Sequence, residues 1–322
     1  MIAFAQYNDI DEIMHFIDKE WRKGHILARD RAFFEYMYVP GKKEVNFVVS
    51  KNGSRIDGIL GYIPYDKDRT QVALTVWKAL KSANGMIGMS MLHFIEKVLE
   101  PRIIASTGID PLTTTAIYRY FKHEVGKMDH FYRLAGQGNY KIASIRQGTI
   151  KDCPPSNASI RHIDSIEQYR DAGIGLTVNA IQKDEWYVNW RYFDHPIFKY
   201  QFFLVEQEGS GPLVVVAREQ EAEQSKCLRI VDLLGNYDLI QGFTSKVDDI
   251  LYENDCEYID CYVAGIKKSM FTDCGWSDIE ETEDIIPNYF APFERENVDL
   301  YYSCKPGGIV MLRGDGDQDR PN

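Results

Sequence analysis

Residues 84–88 read Asn-Gly-Met-Ile-Gly, and a tyrosine, Tyr118, follows further on in the run TTTAIYRYF. The glycines fall where an apolar strand pattern over Val72–Leu80 meets a helical stripe of Ile87, Met91, Phe94, Ile95 and Val98, which Pro101 ends. A helix start presents unpaired N–H groups and partial positive charge, and glycine lets the backbone approach a ligand closely. Ser82, Asn84, Gly85, Met86, Ile87 and Gly88 therefore form a candidate phosphate cradle, with Lys78 and Lys81 as added charge. The competing reading is a plain turn whose glycines serve only packing. Tyr118 has the chemistry to give a proton to a leaving group. It also suits a buried aromatic on a helix.

In EWRKGHILARD, His25 lies between Glu20 and Asp30. Histidine titrates near neutral pH, which makes His25 the best candidate base, and the two acids flank the same stretch as substrate-binding candidates. The alternative is a histidine capping a helix C-terminus after Gly24. His123 and His130 are lesser candidates.

The second half sets Arg191, His195 and Asn288 among Trp190, Tyr192, Tyr289 and Phe290. Rings that stack and polar edges that bind hydroxyls suit a sugar or nucleotide. A core with internal pairs, such as Arg229 with Asp232 or Asp260, explains the same residues without a ligand. The closing GDGDQDRPN alternates Asp315, Asp317 and Asp319. No calcium loop ending in glutamate follows, so no metal is expected, and the tail either frays or docks on the second half.

These residues need elements to hold them. The first half predicts strands over Ile2–Ala5, Val45–Ser50, Ile56–Tyr62, Val72–Leu80, Arg102–Ser106 and Gly126–Leu134. Helices fall after Asn8, over Arg31–Met37, Gly85–Leu99 and Thr113–Phe121. Residues 135–157 carry glycines and prolines with little periodicity and read as a linker. Beyond it, Ile166–Ala172, Val188–Phe193 and Leu239–Glu253 look helical, with strands over Tyr200–Glu206, Leu213–Arg218, Leu228–Leu233 and Tyr258–Tyr262.

The 322 residues suit two domains of about 150 each. The net charge of −11 argues against a nucleic-acid partner. No run of about 18 apolar residues offers a membrane span, and the start lacks the pattern of a signal peptide. Six scattered cysteines without a C-x-x-C pair read as reduced thiols, which with the missing signal points to the cytoplasm.

The element order and the strand–glycine–helix junction resemble the GNAT superfamily of acyl-CoA N-acyltransferases. Gly85 or Gly88 matches one glycine of that family's Q/R-x-x-G-x-G/A loop. Tyr118 matches its tyrosine, while Lys122-His123 stand where Gly-Phe follows in the family. The resemblance implies an α/β fold (α+β mixed sheet) of two tandem GNAT-like domains: 1–134, the linker 135–157, and a degenerate copy over 158–322. It implies acetyl-CoA, or another acyl-CoA, as co-substrate, a main-chain N–H near Val76 and Trp77 for the oxyanion, and Tyr118 as proton donor to sulfur. The expected acceptor is an amino sugar or nucleotide-sugar of surface-polysaccharide biosynthesis, and a homodimer is an expected assembly. A transferase that uses charged tRNA and a non-catalytic binding protein are the alternatives.

Overall fold

A computed structural model describes residues 1–40, 44–53, 55–81, 85–136, 138–146 and 150–321. The chain forms two compact units. The first holds Met1–Val125, Ser303–Gly307 and Gly316–Asn322; the second holds Gly126–Tyr302 and Gly308–Asp315. The division thus falls at Gly126 rather than at a linker. Residues of the expected linker belong to the second unit, where Ile142 and Ala143 are buried. The Glu257 carboxylate holds them there by accepting the N–H groups of Lys141, Ile142 and Ala143. Buried main-chain donors need such partners, and sequence periodicity does not register them.

The first unit contains β1 (Ile2–Gln6), α1 (Ile10–Phe16), which runs on through a π turn at Ile17–Trp21, α2 (Ile26–Arg29) and α3 (Arg31–Tyr38). Then come β2 (Glu44–Asn52), β3 (Arg55–Pro64), β4 (Gln71–Ala79), α4 (Ile87–Val98), β5 (Ile103–Thr107), α5 (Thr115–Tyr120) and β6 (Glu124–Lys127). The sheet runs β1-β2-β3-β4-β5 and continues through a strand at Tyr301–Lys305 to β6. Neighbours from β1 to β4 are antiparallel, and β4 and β5 are parallel. The stripe read from the sequence buries Met91 and Ile95 of α4, with Leu92, against Val48, Leu60, Leu74 and Ile104. Each such side chain contributes roughly 1.5–3 kcal/mol.

Two irregularities shape this sheet. Leu60 faces Trp77 but Tyr62 faces Leu74, so Thr75 and Val76 together oppose Gly61 in a bulge on β4. A side chain at position 61 would come within 2.7 Å of Thr75 Oγ1 and 2.9 Å of the Phe47 ring, so the bulge needs glycine opposite it. The second irregularity is that β4 and β5 pair only from Gln71↔Ile103 to Ala73↔Ala105. Beyond Ala73 the two strands part.

The second unit contains β7 (Asp129–Leu134), β8 (Ser159–His162), α6 (Ile166–Asp171), α7 (Glu185–Val188), β9 (Gln201–Glu206), β10 (Leu213–Ala222) and β11 (Ser225–Gly235). It continues with α8 (Ile240–Thr244), α9 (Val247–Glu253), β12 (Cys256–Ala264), α10 (Ser269–Thr272), β13 (Ser277–Asp278), β14 (Tyr289–Phe290) and β15 (Phe293–Glu294). The Tyr301–Lys305 strand is β16, and Met311–Leu312 is β17. Its main sheet runs β13-β7-β12-β11-β10-β9-β8, with β17 on β12. From β9 to β11 the pairing is antiparallel, and β11 and β12 are parallel. Val216 faces Asp232 and Ala217 faces Ile230, leaving Val231 as an extra residue on β11. The order of directions and the bulge repeat those of β2-β3-β4-β5, with β11 in the place of β4 and β12 in that of β5.

Two elements differ from expectation. The single strand over Gly126–Leu134 is two strands, β6 and β7, separated at Met128, whose N–H donates to Leu300 O. The single helix over Leu239–Glu253 is α8 and α9. Thr244 Oγ1 donates back to Ile240 O and Ser245 Oγ to Gly242 O, and such side-chain returns compete with helix propagation.

Candidate active site

Where β4 and β5 part, the first unit has a cleft of about 490 Å³. Its walls come from the β4 bulge, the ends of β5 and α5, the approach to α4 and the tail 317–320. No disulfide joins any of the six cysteines, none lines the cleft, and among the described residues no cluster of metal-ligating side chains occurs.

Tyr118 reaches the cleft from α5. Its phenol lies 2.8 Å from Ser106 Oγ, a pair in which either oxygen can donate, and Ser106 Oγ also lies 3.3 Å from Leu74 O. The Trp77 ring meets the tyrosine edge-on at 5.4 Å between centroids. Burial pushes the phenol above its ordinary pKa; Ser106 opposes this and the charge of Asp317 adds to it. Tyr118 is therefore an acid at neutral pH, not a base. Val76 and Trp77 line the cleft. The bulge sets Thr75 and Val76 together opposite Gly61, in the wall of the cleft.

At the α4 end, Gly85 and Gly88 line the cleft, whereas Met86 and Ile87 do not. Met86 caps α4 without a side-chain acceptor for its first-turn N–H groups, and Ile87 packs on the core. Ser82 and Asn84 lie outside the described residues. A site at this helix start has main-chain donors and the dipole to offer an anion.

His25 has a different role from the one expected. It caps the start of α2, not the end of a helix: Leu27 N–H faces Nδ1 at 3.2 Å, and Arg320 Nε–H faces Nε2 at 3.1 Å. Burial, then Arg320, Arg22 and Arg29, lower its pKa to about 3. A neutral imidazole accepts at one nitrogen only, so it takes one of these two contacts as an acceptor, and the ring is not in the cleft lining. Asp30 caps α3 by accepting from Phe33 N–H, and Glu20 sits half-buried in the π turn that ends α1. Neither lines the cleft. His123 sits in a buried chain with Ser303 and Glu96, and burial lowers its pKa.

Arg191, His195 and Asn288 are buried inside the second unit. His195 Nδ1 accepts from the N–H groups of Ile197 and Phe198, and Asn288 Oδ1 accepts from Arg313. These bonds make His195 and Asn288 parts of the fold. Arg229 pairs with Asp260, which also meets His130 at 3.1 Å.

The sequence reading missed Ser106, Trp21, Gln318 and Arg320, all in the cleft lining. The tail does not fray, and from Gly316 it belongs to the first unit and not the second: Asp317 and Asp319 are buried, and Gly108 lies directly against the Gln318 side chain. The mixture of Arg-Pro-Asn with the acids was the one visible sign of docking.

The equivalent opening in the second unit is filled by the chain itself. β17 pairs with β12 through Val263↔Leu312 and Ala264↔Met311. On the other side Gly314 N–H donates to the bulge carbonyl, Val231 O, at 2.8 Å. Lys183, buried, bridges Asp232 and Asp315 at 2.6 and 2.7 Å. Burial alone would lower the Lys183 pKa, but the two carboxylates overcome it and hold the ammonium charged.

No protein-family model matches the chain, and no curated protein matches it by sequence. Its likeness is to solved structures. A probable N-acyltransferase from Enterococcus faecalis, described as a conserved protein of unknown function, has a TM-score of 0.57 at 9% identity, over 94% of this chain and 71% of that one. GCN5-related N-acetyltransferases from Anabaena variabilis and Kribbella flavida give the same TM-score, 0.57, at 9% and 10% identity. They match over 94% of this chain and 72% and 70% of theirs. The chain has the mixed α/β fold of the GCN5-related N-acetyltransferases, the GNAT fold, and the likeness extends over both units.

Proposed function

We propose that the chain is an N-acyltransferase that takes an acyl group from acyl-CoA, acetyl-CoA in the simplest case, in the first-unit cleft. The observation that supports this best is the convergence in one cleft of parted strands, a bulge and a buried, protonated phenol. Gly85 and Gly88 at the start of α4 suit a diphosphate. The Val76 region offers a main-chain N–H to the thioester oxygen as the amine attacks. The C–S bond then breaks, Tyr118 gives its proton to the departing sulfur, the nitrogen sheds one proton to water, and water returns a proton to the phenolate. General acid catalysis of this kind contributes roughly 10²–10⁴-fold.

The acceptor we take to be an amino sugar, in nucleotide-linked form, of surface-polysaccharide biosynthesis in the cytoplasm. The Trp21 ring beside polar tail residues supports it, since sugars bind on aromatic faces with polar edges. The second unit favours the non-catalytic reading for itself, because β17 and Gly314 fill its opening.

Thiol release from acetyl-CoA, followed with a chromogenic disulfide across a panel of amines, tests this reading. Acceptor-dependent release that falls in Tyr118→Phe is expected. Absence of acceptor-dependent release with every amine contradicts it.

A further inference from the structure

The tail residue Arg320 is built more rigidly than an exposed arginine needs to be. Its Nε–H donates to His25 Nε2 at 3.1 Å, and Nη1 donates to Asp317 O at 2.6 Å and pairs with the Asp317 carboxylate. The guanidinium lies 5.6 Å from the centre of the Trp21 ring. Three fixings of different kinds hold the plane, while its side chain is only 11% exposed and lines the cleft. Among the described residues Nη2 has no hydrogen-bond partner, so two oriented N–H donors remain on a positioned, permanently charged group.

We propose that Arg320 is an anion anchor: the acceptor carries, besides its amine, a carboxylate or phosphate that Nη2 binds beside Trp21. This rests on the acyl-transfer reading for the place of the amine. The make-up of the cleft supports it: Tyr118, Trp21, Asp317 and Arg320 all line it. An acceptor whose amine lies near Tyr118 has Arg320 available for a second group. His25 is a positioning residue, a neutral ring that fixes the guanidinium without adding charge. A phosphate would come from a sugar phosphate or nucleotide-linked amine, a carboxylate from an amino acid or a sugar acid.

Calorimetric binding and acetyl-transfer kinetics on matched amines test this: glucosamine against glucosamine 6-phosphate, a nucleotide-linked amino sugar, and an amino acid against its decarboxylated amine. Wild type is expected to bind one anionic class at least about tenfold more tightly than its neutral counterpart, and which class does so separates phosphate from carboxylate. Arg320→Gln should abolish the preference and Arg320→Lys should keep part of it, with acetyl-CoA affinity unchanged in both. Equal use of neutral and anionic amines, no preferential binding by any anionic member, or a preference that survives Arg320→Gln overturns the anchor. Preferential binding without acetyl transfer leaves the anchor standing and removes the acyltransferase reading instead.

Discussion

Ser106 Oγ lies 2.8 Å from the phenol of Tyr118 and 3.3 Å from the carbonyl of Leu74, so one hydroxyl spans the point where β4 and β5 part. It ties α5 to the mouth of the cleft. The parting of the strands and the position of the proposed acid are therefore one local arrangement.

Replacing Tyr118 by Phe removes the proton and keeps the ring that packs on Trp77. Turnover is expected to fall by about 10²-fold or more while acetyl-CoA affinity stays near wild type. Because burial raises the phenol pKa, wild-type kcat should show no loss from phenol ionisation up to pH 10. Steady-state kinetics over pH 6–10 check both statements.

His25 has a folded-state pKa of about 3 against an ordinary 6.5. The unfolded chain therefore binds a proton below 6.5 that the folded chain refuses. This contribution to stability is present above pH 6.5 and is lost as pH falls toward 3. Urea midpoints should decline through that window, and His25→Asn, which keeps a capping acceptor, should flatten the decline. An equal slope in both proteins removes His25 from the acid response.

Gly314 lies so close to β11 that a Cβ would sit 2.7 Å from Val231 O and 2.8 Å from the Tyr192 hydroxyl. The carbonyl belongs to a paired strand and has little freedom to move. Gly314→Ala is expected to destabilise by about 1–3 kcal/mol in urea titration.

Lys183 bridges two buried carboxylates in the second unit. Lys183→Met leaves both without their cation and is expected to cost about 3–5 kcal/mol. Adding Asp315→Asn should restore part of the loss, which a double-mutant cycle by urea titration measures.

Much of the first unit was legible because its strands are apolar runs and α4 carries a helical stripe. Asn84–Gly88 marked the strand-to-helix junction, and Tyr118 was placed in the cleft by a resemblance of motif. The bulge opposite Gly61 was not legible, because bulges depend on register between strands distant in sequence. Arg320 was invisible for a similar reason: its partners His25 and Trp21 lie far away in the chain. Residues 135–157 looked like a linker because what holds Lys141, Ile142 and Ala143 is Glu257, an acceptor more than a hundred positions on. Arg191 and His195 misled because a buried polar core and a sugar site use the same residue types.

The central claim is that the first-unit cleft, and not its sealed counterpart, takes acyl-CoA. At Gly88 the nearest atom to an added Cβ is Trp77 Nε1 at 3.5 Å, so Gly88→Phe should fold and put a ring into the cleft. Acetyl-CoA titration by calorimetry is predicted to show one site per chain in wild type and none in Gly88→Phe, with circular dichroism confirming that the variant is folded. No binding to wild type at millimolar concentration, two sites per chain, or binding undiminished in the variant would contradict it.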